Sequence, residues 1–228
     1  MKLSDMTPYH QTDFGTLYHG DCLDILPTLA DKSVDLVLTD PPYGIGESNK
    51  KNLSRGKLAK PTNYGDYDWD LSIPDKRIFD LMLKISKNQI IFGGNYFVEY
   101  LKNSSCWLVW DKDNGKSDFA DCELAWTSFK TAVRLFKFKW HGMLQENMKD
   151  KEKRYHPTQK PVALFVWCLN NYSKENDLIL DPFAGSGTTA IACIRTNRKY
   201  VMIEKEEKYC EIAVRRIESY LDQTTIDL

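Results

Sequence analysis

The sequence predicts an α/β fold in which a mostly parallel sheet is covered by helices on both faces. Short apolar runs, such as Val34–Thr39, alternate along the chain with amphipathic segments, and strands of that composition are usually buried on both sides. Many of the runs end in turns that contain glycine, proline or aspartate. At 228 residues, the chain is long enough for one domain with a proper core and short for two.

Hydrophobic periodicity assigns the individual elements. Strands are predicted at 17–21, 34–39, 89–92, 106–110, 123–126, 132–136, 178–180 and 200–204. Helices are predicted at 22–30, 74–87, 96–102, 162–171, 188–196 and 208–221, where apolar residues recur every three or four positions. The segments 44–71 and 137–155 show no clear period. Aperiodic segments of that length inside a compact domain are usually functional or disordered.

The composition argues against several classes of protein. There is no apolar run of about 18 residues and no N-terminal apolar stretch typical of a signal peptide, so we expect a cytoplasmic protein that does not bind membranes. The six cysteines are scattered without a C-x-x-C pair, and we expect free thiols. Because the four histidines also lack ligand spacing, we expect no metal site.

The net charge of −1 does not suggest a polyanionic partner, but the basic residues are clustered. One cluster lies within 44–71 and another between 130 and 154. A solvated surface is the usual interpretation of either cluster alone. Two clusters beside the motifs described below favour contacts with nucleic-acid phosphates. The residues that we predict to make these contacts are Lys50, Lys51, Arg55, Lys57, Lys60, Arg134, Lys137 and Lys139.

The segment 178–189, Leu-Ile-Leu-Asp-Pro-Phe-Ala-Gly-Ser-Gly-Thr-Thr, predicts a nucleoside-binding turn between a strand and a helix. Its glycines let the backbone approach a ligand closely. Glu204 ends the next predicted strand, where a carboxylate can accept hydrogen bonds from ribose hydroxyls. The missing Gly-Lys-Ser/Thr argues against a phosphate site, and Asp181 could pair with an ammonium group, which suits S-adenosylmethionine better than NAD. A tight turn without a ligand is the alternative.

The tetrapeptide Asp40-Pro41-Pro42-Tyr43 follows a predicted buried strand and suggests the chemistry. A base amino group is a poor nucleophile because its lone pair is delocalised into the ring. If the Asp40 carboxylate and the Pro41 carbonyl each accepted one N–H, the nitrogen would become pyramidal and its lone pair would point at a methyl donor. Consecutive prolines hold that carbonyl in place. Tyr43 offers a flat face on which an extruded base can stack. A turn that merely ends the strand is the alternative.

Together these motifs resemble those of the amino-methylating DNA methyltransferases over nearly the whole chain. In that family D-P-P-Y binds the target amine and D-P-F-x-G-S-G-T binds S-adenosylmethionine. Both motifs are intact here, as is a third family segment, His-Pro-Thr-Gln-Lys-Pro at 156–161. The catalytic motif precedes the cofactor motif, as in the permuted β group. The segments 92–97, 110–112 and 122–126 look like those of small orphan enzymes of phages and prophages.

The resemblance implies a single domain, 1–228, with a circularly permuted, Rossmann-like, doubly wound sheet of seven strands. It implies S-adenosylmethionine as cofactor and DNA as partner. The implied catalytic residues are Asp40, Pro41, Pro42 and Tyr43. The implied cofactor contacts are Asp21, Cys22, Asp40, Thr158, Gln159, Lys160, Asp181, Pro182, Phe183, Ala184, Gly185, Ser186, Gly187, Thr188, Thr189 and Glu204. In this fold the strands that end at Thr39 and Asp181 are central neighbours, so the two motifs should face each other across one crevice.

Aspartate at position 40 favours adenine N6 as the target, because cytosine amino-methylating relatives often carry serine there. Cytosine N4 methylation stays open, as do an RNA or protein-glutamine methyltransferase and a non-catalytic nucleic-acid-binding module of the same fold. We expect the insertions 44–71 and 137–155 to contact DNA. A homodimer is a further hypothesis, since so small a chain has little surface with which to cover a duplex site.

Overall fold

The computed structural model describes residues 2–46, 72–115, 120–141, 144–149, 151–155 and 158–226. The strands within these ranges are β1 His10–Thr12, β2 Gly15–His19, β3 Val34–Thr39, β4 Ser86–Phe92, β5 Trp107–Asp111, β6 Cys122–Thr127, β7 Arg134–Lys137, β8 Trp140–His141, β9 Leu144–Gln145, β10 Leu178–Asp181 and β11 Lys199–Glu204. The helices are α1 Cys22–Ile25, α2 Lys76–Ile85, α3 Val162–Tyr172, α4 Thr188–Arg195 and α5 Glu207–Ile226.

Nine of these strands form one sheet in the order β1-β2-β11-β10-β3-β4-β6-β5-β7. The five strands from β2 to β4 run parallel, β6 is antiparallel to both of its neighbours, and β7 is parallel to β5. The mixed, mostly parallel sheet is therefore confirmed, but the expected count of seven strands is wrong. The periodicity predicted eight of the nine strands, β7 included, and missed the edge strand β1, which has three residues and so carries a weak alternation signal.

Helices cover both faces of the sheet, which confirms the doubly wound arrangement. On one face, residues of α3, α4 and α5 pack against alternate strand residues such as Leu36 and Leu38. On the other face, residues of α1 and α2 pack against Val37 and Ile203. Successive side chains of a strand point to opposite faces, so a strand buried on both sides has to be apolar throughout.

The strands β3 and β10 are central neighbours, as expected, with Leu36 opposite Ile179 and Val37 opposite Leu180. From β3 the chain crosses through α2 to β4 on one side, and from β10 it crosses through α4 to β11 on the other side. The connections diverge from this pair of strands, which makes it the topological switch point. A ligand crevice is expected there, outside the carboxyl ends of the strands.

Two helix predictions are wrong. The predicted helix 96–102 is a 3-10 turn, Gly94–Tyr96, followed by irregular backbone, because packing of Phe97 and Tyr100 on Phe79 of α2 outweighs the local periodicity. The predicted helix 22–30 ends at Ile25 and continues as a 3-10 turn, Leu26–Thr28, that contains a proline without an N–H. The aperiodic segment 137–155 contains a small hairpin of β8 and β9. Residues 47–71 of the other insertion lie outside the described residues.

The described helices include none that is long and apolar enough to cross a membrane. All six cysteines are free thiols, and only Cys122 is exposed. In the part of the chain that the structure describes, no group of three or more His, Cys, Asp or Glu side chains could hold a metal ion.

Gly15 tests the packing of β2 on β11. It lies opposite Tyr200, and a Cβ atom at this position would lie 2.0 Å from the Tyr200 carbonyl oxygen. Because Gly15→Ala must push the two strands apart, we expect the free energy of unfolding to fall by about 1–3 kcal/mol in a denaturant titration. The exposed control Val98→Ala should change it by less than about 0.5 kcal/mol. An unchanged midpoint for Gly15→Ala would contradict this packing.

Candidate active site

Four acidic residues lie along the edge of the sheet that is formed by the carboxyl ends of its parallel strands. The parallel strands β2, β11, β10 and β3 end at this edge, and Asp21, Glu204, Asp181 and Asp40 lie at or just after their carboxyl ends in that order. The tetrapeptide and the glycine-rich turn are thus brought together at the switch point, although they are far apart in sequence. Acidic groups therefore lie along the strand ends at which a crevice between the two motifs was expected.

Asp181, the last residue of β10, joins three elements. Its Oδ1 atom accepts hydrogen bonds from the Thr39 hydroxyl at 2.7 Å and from the Phe183 N–H at 3.1 Å, and its Oδ2 atom accepts one from the Thr189 hydroxyl in α4. The residue is 3% exposed, and burial raises the pKa of its carboxyl to about 6. Both oxygens therefore hold the turn against β3. The expected pairing of Asp181 with an ammonium group stays a prediction.

The turn between β10 and α4 contacts Glu204. Gly185 and Gly187 have φ angles of 51° and 81°, which side chains other than glycine rarely allow. The Gly185 N–H donates to Glu204 Oε2 at 2.7 Å, and the Glu206 N–H donates to Oε1 at 2.9 Å. Each oxygen keeps a lone pair that a ribose hydroxyl can use. Glu204 is 9% exposed, and burial, with Asp181 and Glu206 nearby, raises its pKa to about 7.

Asp21 lies next to Glu204, because the Gly20 N–H donates to the Glu204 carbonyl at 2.9 Å. One carboxylate oxygen of Asp21 caps α1 through the Leu23 N–H at 2.9 Å, and the other pairs with Lys205 at 3.0 Å. The neighbouring Cys22 thiol is buried, and burial raises its pKa to about 12. The Asp21 and Glu204 carboxylates and the glycine turn fit a nucleoside better than a phosphate, since both side chains are acceptors.

A buried polar network supports the glycine turn from behind. Arg216 of α5 donates to the Ser186 carbonyl at 2.6 Å and pairs with Glu152 at 3.1 Å. The Gln159 side chain accepts from the Ser186 hydroxyl at 3.1 Å and donates to Glu152 at 2.9 Å. Glu152 belongs to an insertion that we expected to contact DNA, and its carboxylate is used within the protein. No pattern in the sequence indicated the pairing of Arg216 with Glu152.

Asp40, directly after β3, lies in a second charged cluster. The Lys160 ammonium is 2.6 Å from Asp40 Oδ2 and 3.0 Å from Glu123 Oε2. The Tyr43 hydroxyl donates to Asp40 Oδ1 at 2.6 Å. On its other side Glu123 pairs with Lys112, with Nζ 2.5 Å from Oε1. Lys160, which we expected among the cofactor contacts, thus lies against the proposed catalytic carboxylate.

The charges of this cluster balance. Burial raises the pKa of Asp40, and Lys160 opposes that effect. Burial also acts to raise the pKa of Glu123, but Lys160 and Lys112 together lower it to about 2. Burial acts to lower the pKa of Lys160, but the two carboxylates raise it. Two cations therefore face two anions beside the neutral Tyr43 hydroxyl, whose pKa burial raises well above its usual value.

The Tyr43 ring is packed between backbone and a second aromatic ring. It stacks on Tyr96 with centroids 4.9 Å apart and an interplanar angle of 16°. A Cβ atom on Gly93, whose φ angle is 67°, would lie 2.1 Å from Tyr43 Cε1, so only glycine fits. Tyr96 is 43% exposed, and the sequence did not identify it as a site residue, although it lies within the 92–97 segment. The stacking of a base on Tyr43 stays a prediction.

The remaining predicted site residues are distributed over several parts of the fold. Pro182, Phe183, Ala184 and Thr188 lie along the glycine turn and the first turn of α4, and Thr158 lies in the turn before Gln159. Arg134 and Lys137 lie on β7, and Lys139 follows that strand. Lys137 and Lys139 both pair with Asp113, at 3.0 and 3.1 Å. The predicted contacts Lys50, Lys51, Arg55, Lys57 and Lys60 lie outside the described residues.

Comparison with known proteins identifies the family. Residues 99–215, just over half of the chain, match the family model N6_N4_Mtase, described as DNA methylase. The chain belongs to this family. Type II methyltransferase M2.LlaDCHI of Lactococcus lactis subsp. cremoris is 27% identical to this chain over 251 residues. The aligned residues cover 92% of this chain and 91% of the relative.

Two solved structures share the fold of this DNA methylase. PvuII DNA methyltransferase (cytosine-N4-specific) has a TM-score of 0.62 at 20% identity, with 94% of this chain and 93% of that chain covered. The M1.HpyAVI–SAM complex has a TM-score of 0.55 at 24% identity, with 89% and 98% covered. Family membership confirms three expectations: the substrate is DNA, the methyl donor is S-adenosylmethionine, and the acceptor is an N6 or N4 amino group.

The raised pKa of Glu204 predicts pH-dependent binding of the methyl donor. If ribose hydroxyls donate to the Glu204 carboxylate, protonation below a pKa of about 7 removes the better acceptor. We expect S-adenosylmethionine to bind about tenfold more weakly at pH 6 than at pH 8. Calorimetric titration measures this, and Glu204→Gln is the control for titration of the ligand itself. The same pH profile in both proteins would contradict the assignment.

Proposed function

We propose that this DNA methylase transfers a methyl group from S-adenosylmethionine to the N6 amino group of an adenine turned out of the helix. The main support is the Asp40 carboxylate, which Lys160 and Tyr43 hold at the edge of the sheet next to the glycine turn. An aspartate in this position favours adenine through the resemblance of the tetrapeptide. The N6 amine of adenine and the N4 amine of cytosine pose the same chemical problem, so the base has to be measured.

Several of this chain's residues would hold the methyl donor. Asp21 would accept from the adenine amino group and Glu204 from the ribose hydroxyls, while the turn around Gly185 would lie against the nucleoside. The methionine end would then lie towards the gap between β10 and β3, next to Asp40. When bound, S-adenosylmethionine supplies an electrophilic methyl group. In this arrangement the methyl donor lies at the carboxyl ends of β2, β11 and β10, and the base lies on the side of β3 and β4.

The activation of the amine follows from the acceptors. Each oxygen of the Asp40 carboxylate accepts one hydrogen bond, from Tyr43 or from Lys160, and has a second lone pair that a base N–H can use. The Pro41 carbonyl would accept the other N–H. Two acceptors turn the amine lone pair out of the ring plane towards the methyl group. As the N–C bond forms and the bond between the methyl group and the donor sulfur breaks, the positive charge passes from sulfur to the amine nitrogen, and one of the protons on this nitrogen can pass to the Asp40 carboxylate.

We further propose that the insertions 44–71 and 137–155 contact DNA within a single domain, and that the protein acts in the cytoplasm. Lys137 and Lys139 support part of this, because they lie at the same edge of the sheet as Asp40. Their pairing with Asp113 means that phosphates would have to compete with an internal carboxylate. We also propose that a homodimer covers the duplex. Light scattering should show twice the mass of the monomer with DNA, and a monomer on DNA would contradict the dimer.

The reaction is tested with tritiated S-adenosylmethionine and duplex DNA, followed by analysis of the nucleosides. We expect the label in N6-methyladenine, because Asp40 begins the tetrapeptide. Label in N4-methylcytosine would overturn the choice of base but not the chemistry. Label found only in RNA or protein would overturn the DNA substrate, and no label in any acceptor would overturn the activity.

The role of the carboxylate is tested by Asp40→Ala. We expect turnover to be abolished while S-adenosylmethionine still binds, because Glu204 and the glycine turn are intact. The matched control is Asp35→Asn, which removes the carboxylate at the other end of β3 and should retain most of the activity. Activity of Asp40→Ala within about tenfold of the wild type, or about 1.4 kcal/mol of barrier, would show that Asp40 does not activate the amine.

A further inference from the structure

We propose that Glu123, and Lys112 through it, are positioning residues that fix Lys160 on Asp40 and so set the rate of methyl transfer. The inference rests on the proposed function, because it assumes that Asp40 binds the target amine. The four residues Lys112, Glu123, Lys160 and Asp40 are called the charged chain below. Lys112 directly follows β5 and Glu123 lies in β6, and neither was among the predicted site residues.

The residues of the charged chain are linked one after another, from Lys112 to Asp40. Glu123 uses its two oxygens separately: Oε1 lies 2.5 Å from Lys112, and Oε2 lies 3.0 Å from Lys160 and 3.3 Å from the Tyr43 hydroxyl. Lys160 then continues to Asp40 at 2.6 Å. Lys112 is thus linked to Asp40 through Glu123, by way of Lys160 or the Tyr43 hydroxyl. Positive and negative groups alternate, so each charge has an opposite neighbour.

Lys160 needs such an anchor because of its side chain. A lysine ammonium ends a flexible stem of four carbons and has no fixed direction. With Asp40 as its single partner, it could swing towards either oxygen or towards solvent. A second carboxylate on its other side leaves one position in which both ion pairs form. The position of Lys160 in turn orients the Asp40 carboxylate, whose other oxygen is fixed by Tyr43.

The backbone holds Glu123 and Lys112 in place. Glu123 pairs with Trp110 in the ladder between β5 and β6, and the Lys112 N–H donates to the Asp121 carbonyl at 3.0 Å. The Gly93 N–H, in the turn that packs on Tyr43, donates to the carbonyl of Leu124 at 2.8 Å. The antiparallel strands therefore bring a fixed carboxylate to the tetrapeptide from the side opposite the glycine turn.

Removal of the Glu123 charge has two consequences that can be measured separately. Lys160 loses one of its two anchors, which should lower kcat without weakening substrate binding. Asp40 also loses a negative neighbour, so its pKa should fall. Removal of the Lys160 charge should have the opposite effect and raise the pKa of Asp40. The charged or titratable groups near Asp40 are Lys160, Glu123, Tyr43 and, at the end of the neighbouring strand β10, Asp181.

The test is steady-state methylation of DNA by Glu123→Gln, Lys112→Met and the double variant. We expect Glu123→Gln to lower kcat by about tenfold or more, with both KM values within about twofold of the wild type. Lys112→Met should lower kcat less, and it should add nothing in the Glu123→Gln background, because it acts through Glu123. Lys87→Met, which breaks the Lys87–Asp35 ion pair at the opposite end of β4, is the matched control and should keep wild-type kcat.

The pH dependence of kcat separates positioning from a structural role. We expect the acidic limb to move to lower pH in Glu123→Gln and to higher pH in Lys160→Met, whereas a merely structural role would move neither. Glu123→Asp keeps the negative charge but moves it away from Lys160, because the side chain is one methylene shorter. We expect kcat to fall while the acidic limb of its pH profile stays near the wild-type pH. This variant also serves if Glu123→Gln does not fold.

The outcomes distinguish the two proposals. Wild-type kcat in Glu123→Gln, or additive losses in the double variant, would overturn the positioning role while the proposed function stands. A lower kcat in Glu123→Gln or Glu123→Asp without the expected pattern of the acidic limb would also overturn it. Absence of DNA methylation by the wild type would overturn the proposed function and this inference together.

Discussion

Lys160 places its ammonium group between Asp40 and Glu123, at 2.6 and 3.0 Å, with only 6% of its side chain exposed. A buried charge is costly unless opposite charges compensate it, and loss of one partner leaves the others uncompensated. Lys160 comes from the segment before α3, Asp40 from the end of β3 and Glu123 from β6. The ammonium group thus joins three elements that are distant in sequence, and the geometry of the proposed amine site depends on it.

The edge formed by the carboxyl ends of the strands has two halves, which meet between β10 and β3. On one side, Asp21, Glu204 and the glycine turn present hydrogen-bond acceptors and close backbone contacts that suit a nucleoside. On the other side, the charged chain and the Tyr43–Tyr96 stack surround Asp40. The Thr39–Asp181 hydrogen bond of 2.7 Å connects the halves at the switch point. A displacement of either motif is therefore transmitted to the other through two adjacent strands, which suits a reaction that joins groups from two ligands.

The fold class could be predicted because its signals are local: apolar strands, glycine turns and a proline tetrapeptide. Asp40 and Asp181 were correctly expected at the ends of central neighbouring strands, because the carboxyl ends of parallel strands meet at the same edge. The partners of Lys160 could not be predicted, since they depend on the register of β5 and β6. Arg216 and Glu152 meet only after α5 packs on the turn. The expected count of seven strands came from the resemblance, whereas the periodicity predicted eight strands of the sheet and missed β1, which has three residues.

We infer that Lys160 keeps Asp40 ionised in the site, and the charge of Asp40 can be measured directly. Infrared difference spectra of the wild type minus Asp40→Asn, with S-adenosylmethionine bound, isolate the vibrations of this one carboxyl group. We expect carboxylate bands at pH 8 in the wild type and a neutral carboxylic-acid band that persists to higher pH in Lys160→Met than in the wild type. A neutral acid in the wild type at pH 8, or the same titration of the band in both proteins, would contradict it.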